Sequence, residues 1–375
     1  RQKGGSLSMM STVESVALAG KIWLSEDDTR TWLARERNFP ALKSSRVDTK
    51  EETLKIHQRN FCAYVVRNLG CWWLDLPRCG WLADPDIWEN IKQLEQFDQL
   101  AMKKPERFDP EVSVVVDEMS MLSVPNNKLT VTFVGASRQP LNRLGAPYGQ
   151  YLLEDWLAGA GHGKLNIFLS AWLLTGEQRK QLVEQTDKCV SIWCPGAGFL
   201  DRDHGGDLEH VREVTRFKVQ TVPNSGKRIR PTELGLRLGL KDNANEKERP
   251  DYYFAAVDAT PDEILAVYPD GSAAIAVREL PEGGCSFFCG IPRLTTELLR
   301  IAARKANVHL FTKVDCNVFA NHSLLVLHGS QDEDMIEVDI GKPGTLYDAI
   351  SNQSVGQGPV IKFPLQFGET RIFKY

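Results

Sequence analysis

Three consecutive carboxylates, Glu26, Asp27 and Asp28, close a short apolar run near the start of the chain, and Arg30 follows them. Neighbouring carboxylates raise one another's pKa, so such clusters are frequent where chemistry needs a proton to be held or released. In this pattern Glu26 could act as a nucleophile, with the two aspartates as polar support and Arg30 as an electrostatic partner. The same residues also fit a solvated acidic turn that follows a strand.

A second carboxylate, Asp75, ends another apolar run one βαβ unit later. The spacing predicts a helix over residues 60–69, a stop at Gly70 and a buried strand over residues 71–76. Trp72 and Trp73 lie in this strand, and tryptophans beside carboxylates are typical of sugar sites, because a pyranose ring stacks on them. Side chains alternate across a strand, so we expect one tryptophan at the site and the other in the core.

The elements around these residues alternate between strand and helix. Residues 13–24 favour a strand, residues 50–68 a helix, and Asp84 with Pro85 predicts the start of a further helix that runs to residue 103. In a (β/α) barrel the active site lies at the carboxyl ends of the strands. Both carboxylate-bearing segments occupy such positions.

Length and charge set outer limits on the function. The chain has 375 residues, enough for two or three domains, with 45 basic and 49 acidic residues and a net charge of −4. This balance argues against a nucleic-acid partner, since only residues 227–230 are locally basic and fit a solvated loop. No run of 18 apolar residues predicts a membrane helix, and residues 1–6 do not resemble a signal peptide.

Eight cysteines are scattered along the chain without any C-x-x-C pair. Several lie inside apolar runs, where a free cysteine behaves as a small hydrophobe. We therefore expect no zinc site and no disulfide framework. We also expect no other metal and no cofactor. The cysteine usage mildly favours a reducing compartment such as the cytoplasm.

The remainder of the chain predicts two further domains. Residues 109–308 contain buried strands at 112–116, 164–169 and 189–194 that alternate with helices, then a hairpin at 273–277 and 285–289 and a helix at 294–307. This alternation predicts a doubly wound, flavodoxin-like sheet. Residues 309–375 show short β segments at 309–314, 323–328, 335–340 and 371–375, which predict a small β-sandwich.

With this layout, the chain resembles the β-galactosidase clan around family 42 of the glycoside hydrolases. The resemblance is carried by the segments described above and by their neighbours, at residues 21–31, 72–75, 80–88, 112–118, 143–148 and 151–153. It implies a multidomain α/β fold. The expected parts are the C-terminal part of a TIM barrel (1–108), a class I glutamine-amidotransferase-like trimerisation domain (109–308) and a small β domain (309–375).

The resemblance also implies an activity: retaining hydrolysis of β-galactosides or related β-glycosides by a homotrimer. Glu26 matches the family's nucleophile by context. The expected substrate-binding residues are Asp27, Asp28, Arg30 and Asp75, with Trp72 or Trp73 stacking on the sugar. The chain departs from the family at its start, which falls near the sixth barrel strand, so the glutamate that serves as acid/base is expected upstream of Arg1. The isolated chain could then be inactive.

Two other functions remain open from the sequence. A non-catalytic oligomerisation or carbohydrate-binding module fits an incomplete barrel. A glutaminase would use Cys194, which ends a strand before Pro195, as its nucleophile. Pro195 removes a backbone donor where a nucleophile elbow needs one, and His204 and His210 lie in a polar stretch without a suitably placed His-x-Glu pattern. We therefore expect Cys194 to be a core residue.

Overall fold

The computed structural model describes residues 2–7, 9–34, 47–75, 80–103, 105, 108–124, 127–222, 229–242, 254–291 and 293–375. Contacts divide the chain into two compact units. Unit 1 comprises Arg1–Pro110, Asn142–Pro147 and His309–Tyr375, and unit 2 comprises Glu111–Leu141 and Tyr148–Val308. The first and third predicted domains therefore share unit 1, while the division into three domains stays a prediction. Residues 76, 227 and 228, for which a strand end and a basic loop were predicted, lie outside the described residues.

Unit 1 begins with two βα-type steps. Its first elements are α1 (Val13–Leu18), β1 (Leu24–Asp27), α2 (Lys50–Val65), β2 (Gly70–Trp73) and α3 (Pro85–Lys103). Strands β1 and β2 pair in parallel, and α2 connects them. The helix starts where the side chain of Thr49 accepts a hydrogen bond from the Glu52 amide, and α3 starts at the predicted Pro85.

The predicted strand over residues 13–24 was wrong in its first half, because Val13–Leu18 is a helix. This helix is held by an ion pair with a residue that is distant in the sequence. Arg67 Nη1 lies 2.6 Å from Glu14 Oε1, and both side chains are nearly fully buried. An ion pair between residues so far apart leaves no periodic signal in the local sequence. The alternation that suggested a strand therefore could not reveal the helix.

Unit 2 is built on parallel strands. Its first part contains, in chain order, β3 (Val112–Val116), α4 (Glu118–Ser123), α5 (Asn127–Thr130), a π-helical turn (Val131–Gly135), α6 (Arg138–Asn142), β4 (Tyr148–Leu152), α7 (Leu153–Leu157), β5 (Leu165–Phe168), α8 (Gly176–Thr186) and β6 (Val190–Trp193). The strands lie in the order β4-β3-β5-β6, all parallel. Helix α8 starts with a capping box formed by Thr175 and Gln178. All residues of β3, β5 and β6 are buried, as expected for parallel strands covered on both faces.

The second part of unit 2 extends this sheet with antiparallel strands. It contains β7 (Leu200–Asp201), β8 (Gly205–Gly206), α9 (Leu208–Thr215), β9 (Val219–Thr221), β10 (Arg230–Pro231), α10 (Glu233–Leu238), β11 (Phe254–Ala256), β12 (Ile264–Val267), β13 (Ala273–Glu279), β14 (Cys285–Cys289) and α11 (Thr296–Lys305). The predicted hairpin is confirmed as β13 and β14, and β14 pairs in parallel with β6. The predicted last helix is confirmed as α11.

The C-terminal part of unit 1 is all β. Its strands are β15 (Cys316–Ala320), β16 (Leu324–Gly329), β17 (Glu333–Asp339), β18 (Thr345–Asp348), β19 (Ser354–Gln357), β20 (Val360–Leu365) and β21 (Thr370–Lys374). They form a five-stranded sheet, β15-β16-β21-β18-β19, and the pair β17-β20. The predicted strand at 309–314 was wrong: Phe311 donates its amide to Gly145 and accepts from the amide of Asp339, so it bonds to two different segments rather than to one ladder.

One core cluster joins the two parts of unit 1. It contains Cys62, Val65 and Phe97 from the helices together with Phe319 and Ile372 from the five-stranded sheet. Helix α2 is thus buried between its own strands and the C-terminal sheet. The fold is mixed α/β with a large sheet in unit 2, as predicted.

Candidate active site

The strand pair β1–β2 positions the residues singled out in the sequence. In the parallel register Glu26 pairs with Trp72, and Asp27 pairs with Trp73. Burial alternates along β1, with Leu24 and Glu26 exposed and Ser25 and Asp27 buried. Since side chains alternate across a strand, the pair has one buried face towards α2 and one exposed face.

The exposed face carries Glu26 and Trp72, which are neighbours across the two strands. Trp72 is 43% exposed, and the nearby apolar side chains of Leu24 and Ile22 are 61% and 85% exposed. A carboxylate beside an accessible indole at the carboxyl end of a parallel strand pair combines a charged group with a flat apolar surface. This arrangement suits a ligand that has both hydroxyl groups and an apolar face.

The buried face holds Asp27, which is 2% exposed. Its Oδ2 accepts a hydrogen bond from Asn60 Nδ2 at 2.9 Å, and its Oδ1 accepts one from the Thr29 amide at 2.9 Å. Asn60 Oδ1 in turn accepts hydrogen bonds from Arg59 Nε and Nη2 at 2.9 and 2.7 Å. Asp27 therefore fixes the end of β1 to helix α2, and both of its oxygens are bound within the protein.

Trp73 also lies on the buried face. Its ring centroid is 4.7 Å from that of His57 and 6.5 Å from that of Phe61, both on α2. His57 is fully buried, and burial lowers its pKa, an effect that the charge of Asp27 opposes. The two tryptophans thus differ as alternation predicts, since Trp72 is accessible and the half-buried Trp73 packs against the helix. The role of Trp72 at a sugar site stays a prediction.

The remaining predicted residues lie in the loops that follow the strands. Asp75 Oδ2 accepts hydrogen bonds from the amides of Gly80 and Trp81 at 2.8 and 3.1 Å. The Arg30 guanidinium carbon lies 6.0 Å from the centre of the buried Trp81 ring, and Asp28 is half-buried. Asp75 thus binds the backbone of Trp81 and fixes the turn before it, while Arg30 lies near the Trp81 ring.

Asn60, which holds Asp27, was missed by the sequence reasoning. One feature of the sequence could have indicated Asn60: it is a polar residue in a helical segment, next to the buried apolar residues Cys62, Ala63 and Tyr64. A polar side chain on a buried helix face needs a partner. The spacing does not say which residue that partner is, because Asp27 lies 33 positions away.

Cys194, the nucleophile of the glutaminase alternative, is buried at the end of β6. Burial raises the pKa of its thiol well above the usual value, and the neighbouring Cys289 adds to this effect. A nucleophilic cysteine needs a thiolate, which this environment disfavours. His204 Nδ1 lies 3.1 Å from Asp201 Oδ1, in the turn that joins β7 and β8.

The sheet of unit 2 has a topological switch point at β3, whose neighbours are β4 and β5. There, Ser170 Oγ accepts from the Asp117 amide at 2.9 Å, and Asp117 Oδ2 accepts from the Ser120 amide at 2.7 Å. Trp172 donates its indole N–H to the Ser120 carbonyl at 2.6 Å. Internal hydrogen bonds thus engage these four residues at the place where such sheets bind ligands.

In the part of the chain that the structure describes, no three His, Cys, Asp or Glu side chains are grouped so as to hold a metal ion. Among the same residues, no helix is long and apolar enough to cross a membrane.

Comparison with known proteins gives structural likenesses only. No family model matches the chain, and no curated protein matches its sequence. The fold is similar to a cold-adapted β-galactosidase from Rahnella sp. R3, with a TM-score of 0.60, 11% identity and coverage of 89% of this chain and 53% of the other. It is also similar to a β-galactosidase from Bacillus circulans sp. alkalophilus, with a TM-score of 0.53, 14% identity and coverage of 77% and 44%.

A third similar structure is a catalytic mutant of a family 42 glycoside hydrolase, a β-galactosidase from G. stearothermophilus. Its TM-score is 0.50, its identity is 13%, and the match covers 78% of this chain and 44% of the other. The chain thus spans about half the length of these solved structures. The predicted resemblance to family 42 β-galactosidases holds at the level of the fold.

Proposed function

We propose that this chain belongs to a retaining glycoside hydrolase that acts on β-galactosides or related β-glycosides, with Glu26 as its nucleophile. The observation that carries the proposal is the pairing of Glu26 with Trp72 on the exposed face of β1–β2. The likeness of the fold to β-galactosidases supports it.

Retaining hydrolysis assigns a definite role to each residue of this face. The Glu26 carboxylate attacks the anomeric carbon, the glycosidic bond breaks, and a covalent glycosyl ester forms. A second carboxyl group, roughly 5 Å from the first, protonates the leaving oxygen and then removes a proton from the attacking water. Trp72 stacks on the apolar face of the sugar, and its position across from Glu26 orients the ring.

The second carboxyl group must come from elsewhere than Asp27 or Asp75. Asp27 is buried on the opposite face, and Asp75 accepts two backbone hydrogen bonds in its turn. We propose that the acid lies on further parallel strands that pair beside β1 and β2 and complete a barrel. The exposed side chains of Ile22 and Leu24 support this proposal, since apolar groups beside a site are ordinarily covered.

The two tryptophans provide a matched test of the face assignment. In a form of the protein extended at its N-terminus, Trp72→Ala is expected to raise KM for a β-glycoside by about 10- to 100-fold, the equivalent of losing about 1.5–3 kcal/mol of apolar burial, while the melting temperature stays near that of the wild type. Trp73→Ala is expected to destabilise the fold by about 2 kcal/mol, because it leaves a cavity against His57 and Phe61. Kinetics and urea unfolding of both variants give the comparison, and a reversed pattern would contradict the assignment.

We also propose, from the resemblance alone, that unit 2 mediates assembly into a homotrimer. Sedimentation equilibrium at micromolar concentration is expected to give three times the 42.1 kDa mass of the chain. A monomer at that concentration would remove the trimer from the proposal and would leave the assignment of Glu26 unaffected.

A non-catalytic carbohydrate-binding module is the second candidate. It is favoured because Asp27 and Asp75 accept hydrogen bonds from within the protein. Of the predicted site carboxylates at the ends of β1 and β2, Glu26 is then the one that lies beside Trp72 on the exposed face. Such a module would bind β-glycosides without hydrolysing them, both as this chain and in a form that includes the further barrel strands. The glutaminase alternative is disfavoured by the buried thiol of Cys194.

The experiment that separates these functions compares this chain with a form extended at its N-terminus. Both are screened against nitrophenyl β-glycosides, and the anomer first released is identified by NMR. We expect turnover of the β-galactoside by the extended form with retention of configuration, and negligible turnover by the chain alone. Inversion would contradict a nucleophilic role for Glu26, and binding without turnover by both forms would favour the binding module.

A further inference from the structure

Residues 2–5 form a short segment that is held by side chains from several parts of unit 1. Arg59 Nη1 donates to the carbonyls of Gly5 at 2.7 Å and Gln2 at 3.3 Å. Arg143 Nη2 donates to the Gly4 carbonyl at 3.1 Å. The Gly4 amide donates to His328 Nε2 at 3.1 Å. We call residues 2–5 the N-terminal strap.

Position 4 of the strap favours glycine because of its backbone conformation and because of the nearby ring of Phe367. Gly4 has a φ of +66°, and a Cβ added there would lie 2.1 Å from Phe367 Cε2. Glycine adopts this backbone conformation without steric cost. Gly4 is buried while Gln2 and Lys3 are exposed, so the strap is packed against its neighbours at position 4.

The hydrogen bonds of His328 define its protonation state. A backbone N–H can only donate, so Nε2 accepts from Gly4 and carries no proton. The ring proton is then on Nδ1, which donates to Thr370 Oγ1 at 2.9 Å, and the Thr370 hydroxyl donates to the Lys55 carbonyl at 2.5 Å. His328 is fully buried, and only the neutral ring satisfies this set of bonds.

The charges around His328 oppose a second proton. Burial lowers the pKa of His328 well below its usual value of 6.5, and the charges of Arg59 and Arg143 lower it further. The carboxylates of Asp315 and Glu52 form ion pairs with other side chains. Asp315 lies 3.1 Å from Arg143, and Glu52 lies 3.1 Å from Lys3. A proton on Nε2 would also face the Gly4 N–H directly.

We propose that His328 is an acid-sensitive latch, which holds the N-terminal strap on helix α2 in its neutral form and releases the strap when it is protonated. Release breaks the Gly4 bond and frees the carbonyls that Arg59 binds. Because Arg59 also donates to Asn60, and Asn60 to Asp27, the strap is connected by hydrogen bonds to the end of β1. The latch itself does not depend on the proposed activity.

The sign of the pH dependence follows from where the proton binds. The released form exposes a histidine of ordinary pKa and so gains the proton as pH falls below about 6.5. In the form in which the strap is held, His328 does not take up this proton. The ratio of released to held strap should therefore rise about tenfold for each pH unit below that value, until the histidine of the held form titrates as well.

Hydrogen–deuterium exchange of the full chain, measured by mass spectrometry and corrected for the intrinsic pH dependence of exchange, tests the latch. Between about pH 7.5 and about pH 5, the protection of the amides of residues 3–5 is expected to fall about tenfold or more while that of α3 stays constant. In His328→Gln, whose side-chain oxygen can accept from Gly4 at any pH, this pH dependence should disappear. His322→Gln is the matched control, since His322 is an exposed histidine in the turn before β16.

His57 is a second buried histidine and supplies an internal control. A His57→Leu variant is expected to keep the pH-dependent release of the strap, because His57 forms no hydrogen bond to residues 2–5 in the described structure. If His328→Gln does not fold, exchange of the ring C2–H of His328 in the wild-type chain reports its protonation instead. Its midpoint must then coincide with that of strap release. Unchanged protection of residues 3–5 in the wild type, an unaltered response in His328→Gln, or two different midpoints would overturn the proposal.

Discussion

Glu26→Ala should reduce the turnover of an aryl β-galactoside by the N-terminally extended protein at least by the roughly 10²–10⁴-fold that a single proton-transferring side chain typically contributes. The loss should exceed that range, because without this carboxylate no glycosyl ester can form. Steady-state kinetics with a nitrophenyl β-galactoside measures it. The melting temperature should change little, since Glu26 lies on the exposed face of β1.

Azide provides the control for this prediction. A small anion can occupy the space of the missing carboxylate and attack the anomeric carbon from the same side, so azide should restore part of the turnover of Glu26→Ala and give an α-galactosyl azide, whose configuration is inverted relative to the β-galactoside. Glu51→Gln, an exposed carboxylate in the first turn of α2, should behave as the wild type. Loss of activity in both variants, or full activity of Glu26→Ala, would contradict the assigned role.

Arg67→Met should destabilise the chain by about 3–5 kcal/mol, because it leaves the carboxylate of Glu14 buried without its cation. The two groups are 2.6 Å apart, and their side chains are only 5% and 9% exposed. This pair holds α1 to the turn after α2, so its loss should loosen the elements that precede β1. Urea unfolding followed by circular dichroism gives the change in free energy.

Two variants give this prediction its controls. Replacing both partners, Arg67→Met with Glu14→Leu, should recover much of the stability, since no unpaired charge is then buried. Lys50→Met removes a cation from an ion pair with Asp84 and Asp86 at the surface and should cost no more than about 1 kcal/mol. Equal destabilisation by Arg67→Met and Lys50→Met would show that burial of the first pair has no energetic consequence.

The sequence predicted those elements whose signals are local. Helix α3 starts at Pro85, where proline in the first turn acts on its immediate neighbours. The strands of unit 2 were predictable because parallel strands buried on both faces require continuous apolar runs. The failures, at Val13–Leu18 and at residues 309–314, are segments held by partners distant in sequence.

The candidate site divides in the same way. Alternation along a strand placed Trp72 and Trp73 on opposite faces, and that expectation needs only the period of a β-strand. The same alternation places Asp27 on the face opposite Glu26 once β1 is known to run through Asp27. The sequence did not show this extent of the strand, because three adjacent acidic residues carry no apolar pattern. Nor could it pair Asp27 with Asn60 or Asp75 with the Trp81 amide, since these bonds depend on how α2 and the following loop pack.

Covalent labelling of the extended protein with an activated 2-deoxy-2-fluoro-β-galactoside, followed by proteolysis and mass spectrometry, tests directly whether Glu26 is the nucleophile. The fluorine slows hydrolysis of the glycosyl ester, so the nucleophile remains labelled. We expect one sugar adduct, located on the peptide of residues 21–30 and assigned to Glu26 by fragmentation. An adduct on any other residue, or rapid turnover without a labelled carboxylate, would contradict the assignment of Glu26 as the nucleophile.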